Sequence, residues 1–416
     1  MRIAIFTDND FGKINGVTTT LTAVLRWRPS DLDLRVYTAA DVGVERPDYL
    51  ALRSFGVGIP FYSEMKMYIP RFFAFLNRAK ADGIQLVHYT TPGPVGLAAM
   101  YVASKLQVPM VGSFHTQLSE YTALLSGSER LGNLMREYQR WPYGKCERIL
   151  VPSTATRDLL IAAKIRAEKI RLWTRGVDTD QFTPARRSAA MRDAWGVNDA
   201  RPALIYVGRL SREKGLDAVP AIARTLREAG VDHRLVFVGD GPMRQTLPQA
   251  CPDAIFTGAL PHAEVATAMA SADVFVFPSR TDTLGNVVLE AQACGLPVLV
   301  SDAGGPRENI LEGESGFVCA PGGALDMPVR ALQLASDRTR RVAMGAAARA
   351  YACGRSWATA MAPLYDSYRE VGRDVDGEPV IPNVIGRTAE LEQSPLHTGH
   401  AVATTIGHSP EGLRKL

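Results

Sequence analysis

The sequence predicts an α/β protein with two doubly wound domains facing a cleft. Three observations point there. Short apolar runs rich in β-branched and aromatic residues alternate with longer segments of helical periodicity. The short runs are apolar throughout, as expected of parallel strands covered on both faces. The alternation comes in two series, each roughly 150 residues or longer and so of domain size.

The first series places strands at residues 3–7, 34–38, 85–89, 109–114, 148–152 and 170–174. The second places them at 203–207, 235–238, 254–256, 274–277 and 297–300, with helices at 216–229 and 286–293. Between the series lies Gly176-Val177-Asp178-Thr179-Asp180-Gln181-Phe182-Thr183-Pro184, rich in turn formers and read as the hinge. A basic, helix-forming segment, 186–195, opens the second half. The chain therefore divides into domains 1–178 and 179–356. From about residue 377 it gathers Pro, Gly, His and Thr, and 377–416 reads as a flexible tail. His397, His400 and His408 lie there, with nothing to preorganise them as metal ligands.

Composition bounds the function. Of 416 residues, 46% are apolar and 22% charged, which excludes a collagen, a disordered chain and a disulfide scaffold. A net charge of +4 is too balanced to make nucleic acid the expected partner. The five cysteines, Cys146, Cys251, Cys294, Cys319 and Cys353, lack zinc-site spacing. They read as small hydrophobes in a reducing, cytoplasmic compartment. The apolar start of the chain is too short for a signal peptide, and no apolar stretch reaches the roughly 18 residues of a membrane span.

Ligands of open parallel sheets bind at the carboxyl ends of the strands, and five clusters fall there. Residues 8–18, Asp8-Asn9-Asp10-Phe11-Gly12-Lys13-Ile14-Asn15-Gly16-Val17-Thr18, follow the first strand. They form either an anion-binding turn at a helix start or a plain turn capped by Gly16. Asp8 and Asp10 are spaced like a metal-binding pair, a reading disfavoured beside an anion site. Gly208-Arg209-Leu210-Ser211-Arg212-Glu213-Lys214-Gly215 projects two cations, Arg209 and Lys214, suited to phosphate oxygens. The alternative is a solvated loop. Gly239-Asp240-Gly241-Pro242 lacks the third glycine of a dinucleotide fingerprint, so NAD binding is not read.

The fourth cluster, 278–291, carries most information. A strand ends, a glycine-containing loop follows, and a helix starts near Gly285 and Asn286, its first amides suited to a diphosphate. Asp282 sits before this helix and Glu290 one turn inside it, so two carboxylates flank the anion site. Carboxylates accept bidentate hydrogen bonds from vicinal diols, which suits one to a sugar ring and the other to a ribose. The alternative is a capping Asp282 and a surface Glu290. In the fifth, Ser113-Phe114-His115-Thr116, His115 is placed to meet a sugar hydroxyl or developing charge, or is a satisfied core histidine.

Together, over about residues 1–370, these clusters resemble the family-4 retaining glycosyltransferases of GT-B fold, two Rossmann-like domains facing a cleft. Asn15-Gly16-Val17 matches the family's phosphate-contacting turn, and Arg209 with Lys214 its diphosphate clamp. Asp282 to Glu290 matches the Glu-x7-Glu motif, with Asp in the first position. His115 matches a first-domain histidine near the transferred sugar. Arg171-Leu172-Trp173-Thr174-Arg175-Gly176-Val177-Asp178 with Phe182 is similar to the mannosyl and lipid glycosyltransferase subgroup, whose donors are GDP-mannose or UDP-sugars. The resemblance implies His115, Arg209, Lys214 and Asp282 as catalytic residues. It implies Gly16, Gly208, Gly239, Asp240, Leu284, Gly285, Asn286, Val287 and Glu290 as donor-binding residues, with Glu290 on the ribose and Asp282 on the sugar. Domain 1–178 would be the acceptor side, domain 179–356 would bind the nucleotide sugar, and a helix at about 357–371 would rejoin the first domain.

The reaction so implied is sugar transfer from a nucleotide diphosphate to a lipid or glycan hydroxyl, with retention and with no cofactor or metal. Nucleic acid is not an expected partner. Segment 61–80, rich in aromatics and bases, is either a loop and core helix or a peripheral contact with anionic membrane on its inner face. Alternatives are a nucleotide-sugar-binding protein without turnover and a nucleotide-sugar epimerase of the same fold.

Overall fold

The computed structural model describes residues 1–9, 11, 16–59, 62–115, 117–323 and 326–373. The expected tail at 377–416, its three histidines, most of the turn at 10–15 and Thr116 lie outside the described residues.

In the first half the strands are β1 (Arg2–Phe6), β2 (Asp33–Ala40), β3 (Val44–Arg46), β4 (Tyr49–Arg53), β5 (Phe55–Ile59), β6 (Tyr62–Ile69), β7 (Leu86–Tyr89), β8 (Met110–Ser113), β9 (Arg148–Val151) and β10 (Ile170–Leu172). Among the described residues, eight of them form one sheet in the order β10-β9-β8-β7-β1-β2-β4-β3, parallel except where β3 runs against β4. The second half contributes β11 (Ala203–Val207), β12 (Arg234–Val238), β13 (Ile255–Gly258), β14 (Val274–Phe277), β15 (Val298–Ser301) and β16 (Gly316–Cys319). These form a parallel sheet in the order β13-β12-β11-β14-β15-β16. In each sheet the strand order reverses beside the first strand, between β1 and β7 and between β11 and β14. Crevices open at such switch points.

The continuous apolar strands have the physical reason anticipated. β7, β8, β11, β14 and β15 are buried at every residue. Both faces of the first sheet carry a core. One is built on Phe6, Tyr37, Phe75 and Tyr143, and the other on Ile3, Ile5, Leu86 and Trp173 with Leu364 and Tyr368. The latter two belong to helix Trp357–Val371, which packs against β8 and β9. The peptide at Gly176 crosses the start of this helix so closely that a Cβ there would lie 2.4 Å from Trp357 N.

Three expectations need correction. The loop expected within 61–80 is in large part strand: β5 and β6 form a separate antiparallel hairpin, followed by helix Phe72–Ala81. Exposed alternating apolar residues built this hairpin, and the continuous-run criterion passed over them. The helix expected over 216–229 starts with a 3-10 turn, Leu216–Ala218, and becomes α-helical over Val219–Glu228. The segment 186–195 ends a 3-10 turn, Pro184–Arg186, and becomes helix only at Ala189–Trp195, where Ser188 caps it.

Candidate functional site

The carboxyl ends of the two sheets meet. Thr283 Oγ1, in the loop after β14, donates to the backbone oxygen of His115, after β8, at 3.2 Å. A Cβ on Gly16 would lie 3.8 Å from Asn286 Nδ2. Glu308 of the second half accepts from Thr154 N and Ala155 N, at 2.7 and 2.8 Å, on the first turn of helix Thr154–Ala162.

On the second half the loop after β11 turns through Gly208 and a 3-10 turn at Arg212–Lys214. Its neighbour after β12 is pressed against it. Gly239 has φ of +137°, and a Cβ there would sit 1.9 Å from Gly208 O, so only glycine fits. Lys214 Nζ reaches both oxygens of Asp282, at 2.8 and 3.0 Å, with both side chains largely buried. Thr281 Oγ1 donates to Glu213 O at 3.1 Å, tying the two loops together. Arg209 is half-buried beside this pair in sequence, and its carbonyl accepts from Tyr206 OH at 2.9 Å. Asp240 is exposed and turns back on its own loop, accepting from Gly241 N at 2.7 Å.

Helix Asn286–Ala293 starts with Gly285 as its N-cap residue, at φ of +75°, with no side-chain cap. The amides of its first turn point to the loop end, the geometry of an anion site. Leu284 is buried, its carbonyl accepting from Asn309 Nδ2 at 2.8 Å, which anchors the loop. Val287 is half-buried on that first turn. The capping alternative for Asp282 is therefore not what the structure contains: Asp282 pairs with Lys214. Glu290 is neither a surface residue nor unpaired. Its side chain is 12% exposed, and Oε1 stands 3.8 Å from His262 Nε2. Gln181 Nε2 donates to His262 Nδ1 at 2.9 Å, which turns the N–H at Nε2 toward Glu290. The Glu290 carboxylate beside it raises the His262 pKa above the ordinary histidine value.

On the first half, both ring nitrogens of His115 are engaged, one with Ser113 Oγ at 2.8 Å and the other with Arg175 Nη2 at 3.4 Å. The ring is thus satisfied, as a core histidine would be, while its backbone oxygen serves the cleft. Burial, then the Arg175 charge, depresses its pKa well below the ordinary value. His88 behind it is pushed down to about 3 by the same two causes. Asp8 accepts from Thr91 Oγ1, Val95 N and Gly96 N at the start of helix Pro94–Leu106. Asp8, at the end of β1, thus caps the first turn of helix Pro94–Leu106 rather than the helix that starts at Gly16.

Single motifs did not mark His262, Glu308 or His88, because each acts through a residue distant in sequence, and Thr283 and Gln181 lie inside quoted stretches that gave them no role. Arg175 and Ser113 stand inside quoted motifs, and a buried arginine or serine at a strand end was the available signal.

Two facing doubly wound sheets with charged loops at their switch points define the GT-B glycosyltransferase architecture. Residues 14–181 match the family described as Glycosyltransferase Family 4, and residues 188–351 that of Glycosyl transferases group 1. The chain is 34% identical to the sulfoquinovosyl transferase of Arabidopsis thaliana, over 84% of this chain and 69% of that one. It is 30% identical to a GDP-mannose-dependent alpha-mannosyltransferase of Corynebacterium glutamicum, over 97% of this chain and 96% of the other. In fold it is similar to the sucrose-phosphate synthase of Thermosynechococcus elongatus, at a TM-score of 0.71 and 20% identity, covering 89% and 98% of the two chains. The chain belongs to the family-4 glycosyltransferases, and it is a glycosyltransferase enzyme.

Proposed function

We propose that the protein transfers a hexose, with retention, from GDP-mannose or a UDP-hexose to a hydroxyl of a lipid or glycan, without a metal. The observation that carries this reading is the convergence of Lys214, Asp282 and the uncapped first turn at Gly285–Asn286 on one strand-end loop pair. Lys214, Arg209 and the helix amides would take the developing charge of the leaving diphosphate. Asp282 would hold the sugar and Glu290, steadied by His262, the ribose. Asp282 already bonds Lys214, so sugar and diphosphate recognition are coupled: a ligand meeting one meets the other. The acceptor hydroxyl would attack from the face the diphosphate leaves, with a phosphate oxygen taking its proton. The first half would hold the acceptor. The name of the Corynebacterium glutamicum relative supports GDP-mannose as donor.

The test is thermal unfolding with GDP, UDP and ADP and with their sugar conjugates. Ligand that binds only the folded state raises the midpoint by mass action. A preference for GDP or UDP is expected, and no shift with any of them at millimolar concentration overturns the diphosphate site.

The hairpin supports a membrane contact as part of this reading. Phe55 faces Ile69 and Val57 faces Met67 across β5 and β6, and all four side chains are exposed, as is Phe73 beside them. Among the described residues no helix is long and apolar enough to cross a membrane. The wild type should float with vesicles containing anionic lipid, less so in high salt, and Phe55→Ser with Phe73→Ser should stay in the pellet fraction. Flotation indifferent to both changes and to salt would remove the contact.

A further inference from the structure

Behind His115 runs a closed chain of hydrogen bonds drawn from four distant segments. Arg175 Nη2 can only donate, so His115 Nδ1, 3.4 Å away, accepts. The hydrogen of the neutral ring is then on Nε2, which donates to Ser113 Oγ at 2.8 Å. Ser113, having accepted, gives its own hydrogen to His88 Nε2 at 2.8 Å. His88 Nδ1 then carries a hydrogen and donates to Tyr368 OH at 2.6 Å. Ser113, His88 and Tyr368 are fully buried, so water does not compete at the Ser113–His88 and His88–Tyr368 links. Arg175, the fixed donor at one end, and Tyr368, the acceptor at the other, thus set both histidine tautomers together. The guanidinium is itself held by Trp173 O, at 2.6 Å, and lies over the Trp173 ring at 4.1 Å.

The chain joins the rejoining helix, through Tyr368, to the cleft. Its cleft end is the residue whose backbone oxygen takes the hydrogen bond of Thr283, next to Asp282. A ring pinned at both nitrogens cannot rotate, and a pinned ring fixes the strand-end peptide that carries it.

We propose that Tyr368, His88 and Ser113 are positioning residues that lock His115 as its Nε2–H tautomer and thereby hold the sugar-side loop in register across the cleft. This rests on the reading of Asp282 and its loop as the sugar site. None of the three touches substrate. Their effect is on the geometry in which the donor reacts and little on its binding.

The experiment compares Tyr368→Phe with Tyr365→Phe in the full chain. Tyr365 lies on the same helix, and its buried hydroxyl donates to Val24 O at 2.8 Å, outside the chain of bonds. It controls for loss of a buried hydroxyl. Hydrolysis of GDP-mannose and UDP-glucose, in which water takes the sugar and GDP or UDP leaves, gives kcat and KM, and nitrogen-15 spectra of the imidazoles give the tautomer of His115. In the wild type His115 is expected as Nε2–H. Tyr368→Phe should mix its tautomers and lower kcat about tenfold with KM little changed. Tyr365→Phe should lose comparable thermal stability and keep the wild-type kcat and tautomer. Equal kcat in the two variants, or a wild-type His115 with its hydrogen on Nδ1, overturns the proposal. The spectra need no donor, so a wild type that turns over neither sugar counts against the transferase reading while the tautomer still tests the lock.

Discussion

At the end of β14 the second half presents ions, and at the end of β8 the first half presents neutral rings. Lys214 and Asp282 face each other on glycine-framed loops, and His262 leans on Glu290. Across the cleft, His115 and His88 are kept uncharged by burial and by Arg175. Charges that meet a charged ligand must stay solvated or paired until it arrives, and Lys214 and Asp282 are paired. Groups that set geometry do so best when buried and fully hydrogen-bonded. On the proposed function, recognition and alignment would thus fall to different halves.

The largest expected effect falls on the ionic side. Glu290→Ala and Lys214→Ala should each lower kcat/KM for the nucleotide sugar by more than about tenfold, since each removes a charge-assisted contact. Near-normal donor kinetics in both would erase the contrast by taking the ionic half out of the site.

The next effect separates the halves by pH. His88 and His115 have depressed values in the folded chain, so the unfolded chain binds more protons as pH falls below the ordinary value of about 6.5. Their stabilising contribution is present above that value and is lost on acidification, for His88 toward about 3. His262 is raised by Glu290 and runs the other way: its contribution is full below about 6.5 and is lost as pH climbs through the folded value. Thermal midpoints between pH 5 and 8 should therefore fall more steeply with acid in His262→Gln than in the wild type. A shallower fall would reverse the assignment of sign to the two halves.

The smallest effect tests the seam. Glu308 caps a first-half helix from the second half. Glu308→Ala should cost about 1 kcal/mol of stability, the worth of an N-terminal cap, and should speed proteolysis near residues 153–155. Unchanged midpoint and cleavage would mean that closure does not depend on this contact.

Much of the fold was legible because its signals are local. Strands buried on both faces must be apolar at every position, and the runs at 203–207 and 274–277 were read to the residue. Helix Asn286–Ala293 was bounded by glycine in the same way. Hairpin β5–β6 was not, because its exposed apolar residues Phe55, Val57, Met67 and Ile69 alternate and face outward. Within the candidate site, Lys214 and Asp282 could be named from residue type and strand-end position, but not their contact: 68 residues separate them, and only loop packing brings the charges to 2.8 Å. Likewise His115 was visible, but its partners were not. Ser113, Arg175, His88 and Tyr368 come from three strand ends and a helix up to 280 residues apart.

The sequence by itself determined the two series of parallel strands and the residue types at the strand ends, because periodicity and turn chemistry act over a few residues. Only the tertiary structure decided which charges pair, which tautomer His115 adopts and how the halves are pinned, because those depend on groups that folding alone brings within hydrogen-bond reach.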